Sequence, residues 1–472
     1  MKEPIWAIPG FAVVDLLARG EITPFEVLTS IEGRVAEINP QVNALPTLCF
    51  ARAREAAHGL ESKPLQVRGR LAGLPIPIKD SYEVKGVRTT WGSLAYADHI
   101  AQRSDYLVQA IEEHGGIVFA KSNTPEFEAG ANTFNEVFGR TLNPWNTALS
   151  AGGSSGGAAV AVATGMAFIA QGSDFACSLR YPAAFCGIVG LRPSPGIVPQ
   201  GPSRVPHQVL SVIGPLGRSV EDTALGLDGM AAFDARDPLT RPLNAGSYRQ
   251  SARQPRRPEK IAFSMDLGFV RVSREIDRSV RDALQRLASA GLGIEQPTLD
   301  LSRSDNCFRT LRAFQFAALR RQALIDHRDK LKPEVVWNIE EGLKLNALQI
   351  ADAELELALL RQSLLALLDE HDFLITPTAP VEPFPVEQRF VNRIDGVELH
   401  TYLDWLALGF AITVCGCPTI SIPCGLTKNR LPAAIQIIGK PYGEHDLLSF
   451  AVWCESILKS RLDKPIDPRV SA

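Results

Sequence analysis

The stretch from Leu149 to Ser194, LSAGGSSGGAAVAVATGMAFIAQGSDFACSLRYPAAFCGIVGLRPS, constrains this chain more than any other, because it packs small residues and serines around two turns separated by an apolar segment. A segment so poor in large polar side chains belongs in a core. Glycines at 152, 153, 156 and 157 let the backbone approach a reacting group closely, and Ser154, Ser155 and Ser178 are the strong nucleophile candidates nearby. Upstream, in GLPIPIKDSY, Lys79 follows an apolar, proline-rich run that reads as a buried strand, where desolvation favours the neutral amine. A neutral lysine is a base, so serine and lysine together suit acyl-transfer chemistry.

Short apolar runs alternate with helical periods over most of the chain. Thr23-Pro-Phe-Glu26 carries a cap residue, proline at the first helical position and a glutamate three residues on, which predicts a helix towards Asn39. A second helix is predicted over 52–62. Strands follow at 74–78 and 116–120 with a helix at 105–114 between them, then the apolar run 158–165, a strand at 260–268, a helix at 273–290, a helix at 355–370 and a strand at 373–378. Alternation of this kind argues for an α/β fold with helices around a mostly parallel sheet.

The 472 residues carry a formal net charge of −3 and 45% hydrophobic residues, enough for a large core under a mixed-sign surface with no bias towards nucleic acid. No long linker, low-complexity block or internal repeat divides the chain, so residues 1–472 are expected to form one domain: an N-terminal helical layer over 1–65, a core over 66–225 and a polar, basic surface loop over 239–260. Charges and prolines interrupt the N-terminal apolar residues, and no run reaches the roughly 20 residues of a membrane span, so a cytoplasmic protein is expected. The eight cysteines are scattered and expected to be reduced. Cys415, Cys417 and Cys424 form the one cluster, but without a nearby fourth ligand they read as packing rather than as a metal site.

The run GLPIPIKD, the NPWN of 143–146, the GGSSGG of 152–157 and the S-L-R-x-P-A-A of 178–184 resemble the amidase signature family of amide hydrolases. The spacing agrees as well, since Ser154 lies 24 residues and Lys79 lies 99 residues before Ser178. Weaker echoes are KSNTPEF (121–127), GPLGRSVED (214–222), LITPTAP (374–380) and GCPTISIPCG (416–425). The resemblance implies an α/β/α sandwich with a central, mostly parallel, mixed twisted sheet. It further implies Ser178 as nucleophile, Ser154 as a bridging serine with a cis backbone, and Lys79 as the ultimate base. Backbone N–H groups of Phe175, Ala176, Cys177 and Ser178 would form the oxyanion hole, with Asp174, Arg180 and Ser155 as structural support. Phe134, Phe175 and Trp405 fall in segments that line the pocket of relatives. A small-molecule amide substrate is implied, with no cofactor or metal, and a homodimer is open.

The chain also departs from the pattern. Most relatives carry Asp-Thr-Gly-Gly-Ser where this chain has Asp174-Phe-Ala-Cys-Ser178, so a positive φ at Ala176 or Cys177 would be strained, whereas a negative φ would only shrink the pocket. The Cys177 thiol reads either as a modifiable group or as a buried, inert one. Two other motif readings compete. Gly152-Gly-Ser154-Ser-Gly156 satisfies the G-x-S-x-G elbow of α/β-hydrolases, which needs an acid and a histidine downstream; His371, His400 and His445 lack a catalytic context. The run 115–122 falls one glycine short of a phosphate loop, and its Ile-Val-Phe reads as strand. Taken alone, Lys79 reads as a buried lysine paired with Asp80 or another acid, and Ser154 and Ser155 as a turn capping the next helix. A catalytically silent amide- or carboxylate-binding member and a glutamine amidotransferase A-type subunit remain as alternatives.

Overall fold

A computed structural model describes residues 3–243, 246–460 and 464–470. Helices Gly10–Arg19, Pro24–Val42 and Phe50–Glu61 build the N-terminal layer. The capping box at Thr23 is formed in both directions: Glu26 N–H donates to Thr23 Oγ1 at 3.1 Å, and Thr23 N–H donates to Glu26 Oε2 at 2.8 Å. The helix runs past Asn39, through Pro40, and stops at Asn43, whose φ of 50° lies in the left-handed region.

Under this layer the strand Pro75–Lys79 runs parallel to Ile117–Ser122, and Thr47–Leu48 pairs antiparallel with the latter. The near phosphate loop is therefore strand, as its apolar interior requires. Lys79 ends its strand beside the main sheet, where its backbone N–H donates to Gln171 Oε1 at 2.9 Å.

The main sheet has eight strands in the order Gly293–Glu295, Lys260–Phe263, Leu374–Pro377, Pro432–Ile438, Thr419–Leu426, Val189–Arg192, Val212–Gly217 and Ile169–Asp174. It is mixed, with helices around it, as expected, but only the first two pairings are parallel and the other five are antiparallel. Helix-strand alternation overstated the parallel share. The reason is local: Thr419–Leu426 and Pro432–Ile438 close as a hairpin, and Val212–Gly217 turns back between two signature strands. One apolar cluster joins the N-terminal layer to the sheet, and a second lies under the helices Ser304–His327, Ala347–Glu370 and Ala407–Cys415.

Helix Gly156–Ala163 is buried along its whole length, which explains its alanine, valine and glycine composition. A Cβ at Gly157 would stand 2.4 Å from Asn123 N and 2.5 Å from Ala44 O, so only glycine fits there. The expected surface loop at 239–260 is partly corrected: it contains the short helix Tyr248–Ala252, with Tyr248 buried and Arg249 bridging Asp15 and Glu221. Residues 244 and 245 of that loop lie outside the described residues.

Candidate active site

Strand Pro75–Lys79, the turn before helix Gly156–Ala163 and the turn after strand Ile169–Asp174 converge on one cavity of about 530 Å³. Ser154, Ser173, Phe175, Ala176 and Ser178 line it, together with Glu128 and a face of helix Ser304–His327. Lys79 is fully buried behind the wall. Its Nζ donates to Ser154 Oγ at 2.6 Å and to Ser173 Oγ at 2.9 Å, and meets Glu128 Oε1 at 2.8 Å. All three N–H bonds of an ammonium are thereby engaged. Burial pulls the Lys79 ammonium below its ordinary range despite the opposing attraction of Glu128.

The peptide Gly153–Ser154 is cis. Among the described residues, no hydrogen bond links the hydroxyls of Ser154 and Ser178; the two turns are tied through backbone, Ser155 N–H donating to Ser178 O at 3.3 Å. Ser155 works inward, its Oγ donating to Ser173 O and accepting from Ser173 N–H, both at 3.3 Å. Ser178 is nearly buried, with 7% exposure at the cavity wall.

The missing glycines of the turn Asp174–Ser178 leave its backbone unstrained: neither Ala176 nor Cys177 has a positive φ. Room for the Cys177 side chain comes from across the interface, where a Cβ on Gly409 would stand 2.5 Å from both Cys177 Cβ and Ala176 O. The backbone N–H groups of Phe175, Ala176, Cys177 and Ser178 donate to no acceptor among the described residues, whereas the next one, Leu179 N–H, donates to Asp174 Oδ2 at 3.2 Å. Asp174 is held in a double pair. Arg180 Nε and Nη2 donate to its two carboxylate oxygens at 3.0 Å each, and Arg192 Nη1 donates to its backbone oxygen at 2.6 Å. Burial raises the Asp174 carboxyl, but the two guanidinium charges more than offset it and hold the group below the usual range. Arg180 Nη2 also donates to Ala176 O, Gly409 O and Thr413 Oγ1 at 2.8, 3.1 and 3.0 Å, which pins the turn to helix Ala407–Cys415.

Several expectations need correction. Trp405 is fully buried among Tyr181, Phe185 and Phe384 and does not reach the cavity, because its ring fills the second apolar cluster. Phe134 also lies off the cavity wall, in a two-stranded ribbon with Lys332 and Arg389 over its ring. Phe175 does line the wall. Lys79 pairs with an acid, but the acid is Glu128; Asp80 instead pairs with Lys121 at 3.3 Å and accepts from Thr90. The Cys177 thiol is fully buried, and desolvation with the nearby Asp174 charge pushes it well above the ordinary thiol range, so the inert reading holds. Cys415, Cys417 and Cys424 are buried free thiols, and no histidine is among the residues lining the cavity, which removes the support for an α/β-hydrolase triad.

Sequence reasoning missed Glu128 and Ser173, and it missed Arg312, a buried cation on the cavity wall. Glu128 reaches Lys79 from a backbone with φ of 63°, preceded by Phe127 at 44°, and no glycine marks either position. Ser173 is adjacent to the signature turn but outside its motif. Arg312 has a legible signal, a cation on the apolar stripe of LRAFQFAALRRQAL.

A buried lysine bonded to a cavity-wall serine thus stands at the same cavity as a second serine, which lies on a turn with unspent N–H groups in an α/β fold. The profile of the family described as Amidase matches residues 26–448. An acylamidase of Rhodococcus erythropolis is 30% identical over 465 residues, covering 97% of this chain and 96% of the relative. The A-type subunit of the glutamyl-tRNA(Gln) amidotransferase of Halothermothrix orenii is 30% identical over 476 residues, covering 96% and 97%. Among solved structures, a bacterial aryl acylamidase superposes with a TM-score of 0.89 at 26% identity, over 96% of this chain and 97% of that one. The chain belongs to the amidase signature family and is an amide-hydrolysing enzyme. No helix among the described residues is long and apolar enough to cross a membrane.

Proposed function

We propose that the protein cleaves carboxamide C–N bonds through an acyl-enzyme on Ser178, with Ser154 as proton relay and Lys79 as base. The observation that carries this reading is the 2.6 Å contact of the buried Lys79 Nζ with Ser154 Oγ, at the wall that also bears Ser178. A serine hydroxyl is a weak nucleophile until a base takes its proton. With Lys79 neutral, Ser154 O–H donates to the amine lone pair while Ser154 Oγ takes the proton of Ser178. Ser178 Oγ then bonds to the amide carbonyl carbon. The Ser154–Ser178 link is absent at rest, and such contacts commonly tighten only when substrate is bound.

The four unspent N–H groups of residues 175–178 suit the developing oxyanion, each donor of this kind being worth roughly 3 kcal/mol in the transition state. Asp174 and Arg180 support that turn without touching the reacting atoms. Collapse of the intermediate breaks the C–N bond, the relay protonates the leaving amine, and water then cleaves the ester by the same route. The aryl acylamidase and the acylamidase among the relatives fit this class of reaction.

Ser178→Ala should abolish amide turnover and labelling by a fluorophosphonate probe while leaving the circular dichroism unchanged. Turnover at the wild-type rate in that variant rejects the assignment. Since other relatives are named as subunits, hydrolysis by the purified chain alone separates a self-sufficient amidase from an amidotransferase component.

A further inference from the structure

The cavity wall holds a buried cation with no counter-charge. Arg312, on helix Ser304–His327, is only 4% exposed and stands beside Phe175 and Ala176 of the proposed oxyanion turn. Its guanidinium lies 4.6 Å from the ring centre of Phe316, 5.3 Å from that of Phe175 and 5.8 Å from that of Tyr402. Nε and Nη2 donate to Tyr402 Oη at 3.2 and 3.1 Å, and no carboxylate of the described residues pairs with it. A guanidinium has five N–H donors in a planar fork, and a phenol oxygen satisfies little of that capacity.

Two turns further along the same helix, Arg320 lines the same cavity about 12 Å away along the axis. It is half-buried, makes no hydrogen bond or ion pair to the described residues although the Glu128 charge acts on it, and its guanidinium sits 4.4 Å from the ring centre of Phe127. The acids on the wall are occupied elsewhere. Glu83 pairs with His99 and Arg103, Glu128 with Lys79, and the carboxylates of Asp105 and Asp237 accept backbone N–H groups. Burying an uncompensated charge is unfavourable, so Arg312, kept in this setting, calls for an anion brought by the ligand.

Resting on the amidase reading above, we propose that the substrate is an amide carrying a carboxylate away from its scissile bond, and that Arg312 binds this carboxylate between the rings of Phe175 and Phe316. Arg320 extends the positive wall for longer members of the class. The ring contacts would orient an apolar spacer, and the planar fork would fix the carboxylate by paired N–H···O bonds.

The test uses two matched pairs of amides: 4-carbamoylbenzoate with benzamide, and 5-carbamoylpentanoate with hexanamide. At least one carboxylated member should exceed its neutral partner by about tenfold or more in kcat/KM, because a site built for a polar group rejects the analogue lacking it. Arg312→Gln should bring that ratio close to one, and Arg312→Lys should keep part of it. Equal rates for both members in the wild type, or a preference that survives Arg312→Gln, overturns the proposal. Failure of the amidase reading is read separately, as absence of fluorophosphonate labelling at Ser178. Should no amide be turned over, calorimetric titration of Ser178→Ala protein decides the matter: tighter binding of the carboxylated member, lost in the Arg312→Gln double variant, supports the proposal, and equal or absent binding rejects it.

Discussion

At the scale of single residues, the proposed chemistry turns on where the Lys79 proton resides. Three acceptors surround Nζ, and one of them, Glu128, is an acid that favours the ammonium; burial works against it and leaves the lysine below its ordinary value. The base form is the neutral amine, so activity should rise with pH through an apparent pKa lower than the unperturbed value of about 10.4. That midpoint belongs to the coupled group of Lys79, Glu128, Ser173 and the two serines of the proposed relay. Glu128→Gln removes the charge that holds the proton, so the rising limb of kcat/KM should move to lower pH. A pH–rate series on both proteins checks this, and a shift to higher pH would mean that Glu128 assists proton removal. Lys79→Ala should cost several orders of magnitude at every pH, since general-base assistance contributes roughly 10²- to 10⁴-fold.

Single elements carry the geometry around those residues. The turn Asp174–Ser178 lacks the glycines expected of it, and helix Ala407–Cys415 compensates by offering Gly409 where Cys177 and Ala176 press. Gly409→Ala should therefore displace the turn, lowering stability by about 1–3 kcal/mol through overpacking and reducing kcat more than KM. Thermal melting and steady-state kinetics measure the two effects; an unchanged kcat would show that the turn tolerates the shift. Asp174→Asn removes the charge that both Arg180 and Arg192 face, and should cost about 3–5 kcal/mol, as when one partner of a buried pair is lost. This scale also marks the limits of the sequence. Thr23 with Glu26 announced its helix through a local cap, and LPIPI announced a strand through composition alone. Helices Ser304–His327 and Pro333–Lys344 were not anticipated, and the contribution of the first to the cavity wall depends on tertiary placement that no local signal carries. Trp405 went the other way, because an aromatic residue in a pocket-lining segment cannot be told from core until its neighbours Tyr181 and Phe384 are known.

For the whole molecule, cooperativity turns on whether the two largest apolar clusters unfold together. Cys186, Cys424 and Cys454 sit in the cluster that joins the N-terminal layer to the sheet, and Cys177, Cys307, Cys415 and Cys417 sit in the cluster beneath the later helices. All seven are buried free thiols, while the partly exposed Cys49 is pushed up to about 11 by burial and reacts slowly near neutral pH. Thiol chemistry thus reports on each cluster separately. The clusters share the main sheet: Ile420 and Ile422 belong to the first, Leu374 and Ile438 to the second, and these lie on mutually paired or neighbouring strands. Arg180 adds a polar tie, bonding Asp174 on one side and Thr413 on the other. A shared sheet and buried cross-links favour one cooperative unit, although chains beyond about 150 residues commonly populate intermediates. The expected outcome is that all seven thiols become reactive within a single urea transition, read by alkylation at each denaturant concentration and peptide mass mapping. Earlier exposure of Cys307, Cys415 and Cys417 would instead divide the chain, with the helices that carry the Arg312 wall unfolding before the sheet that leads into the Ser178 turn.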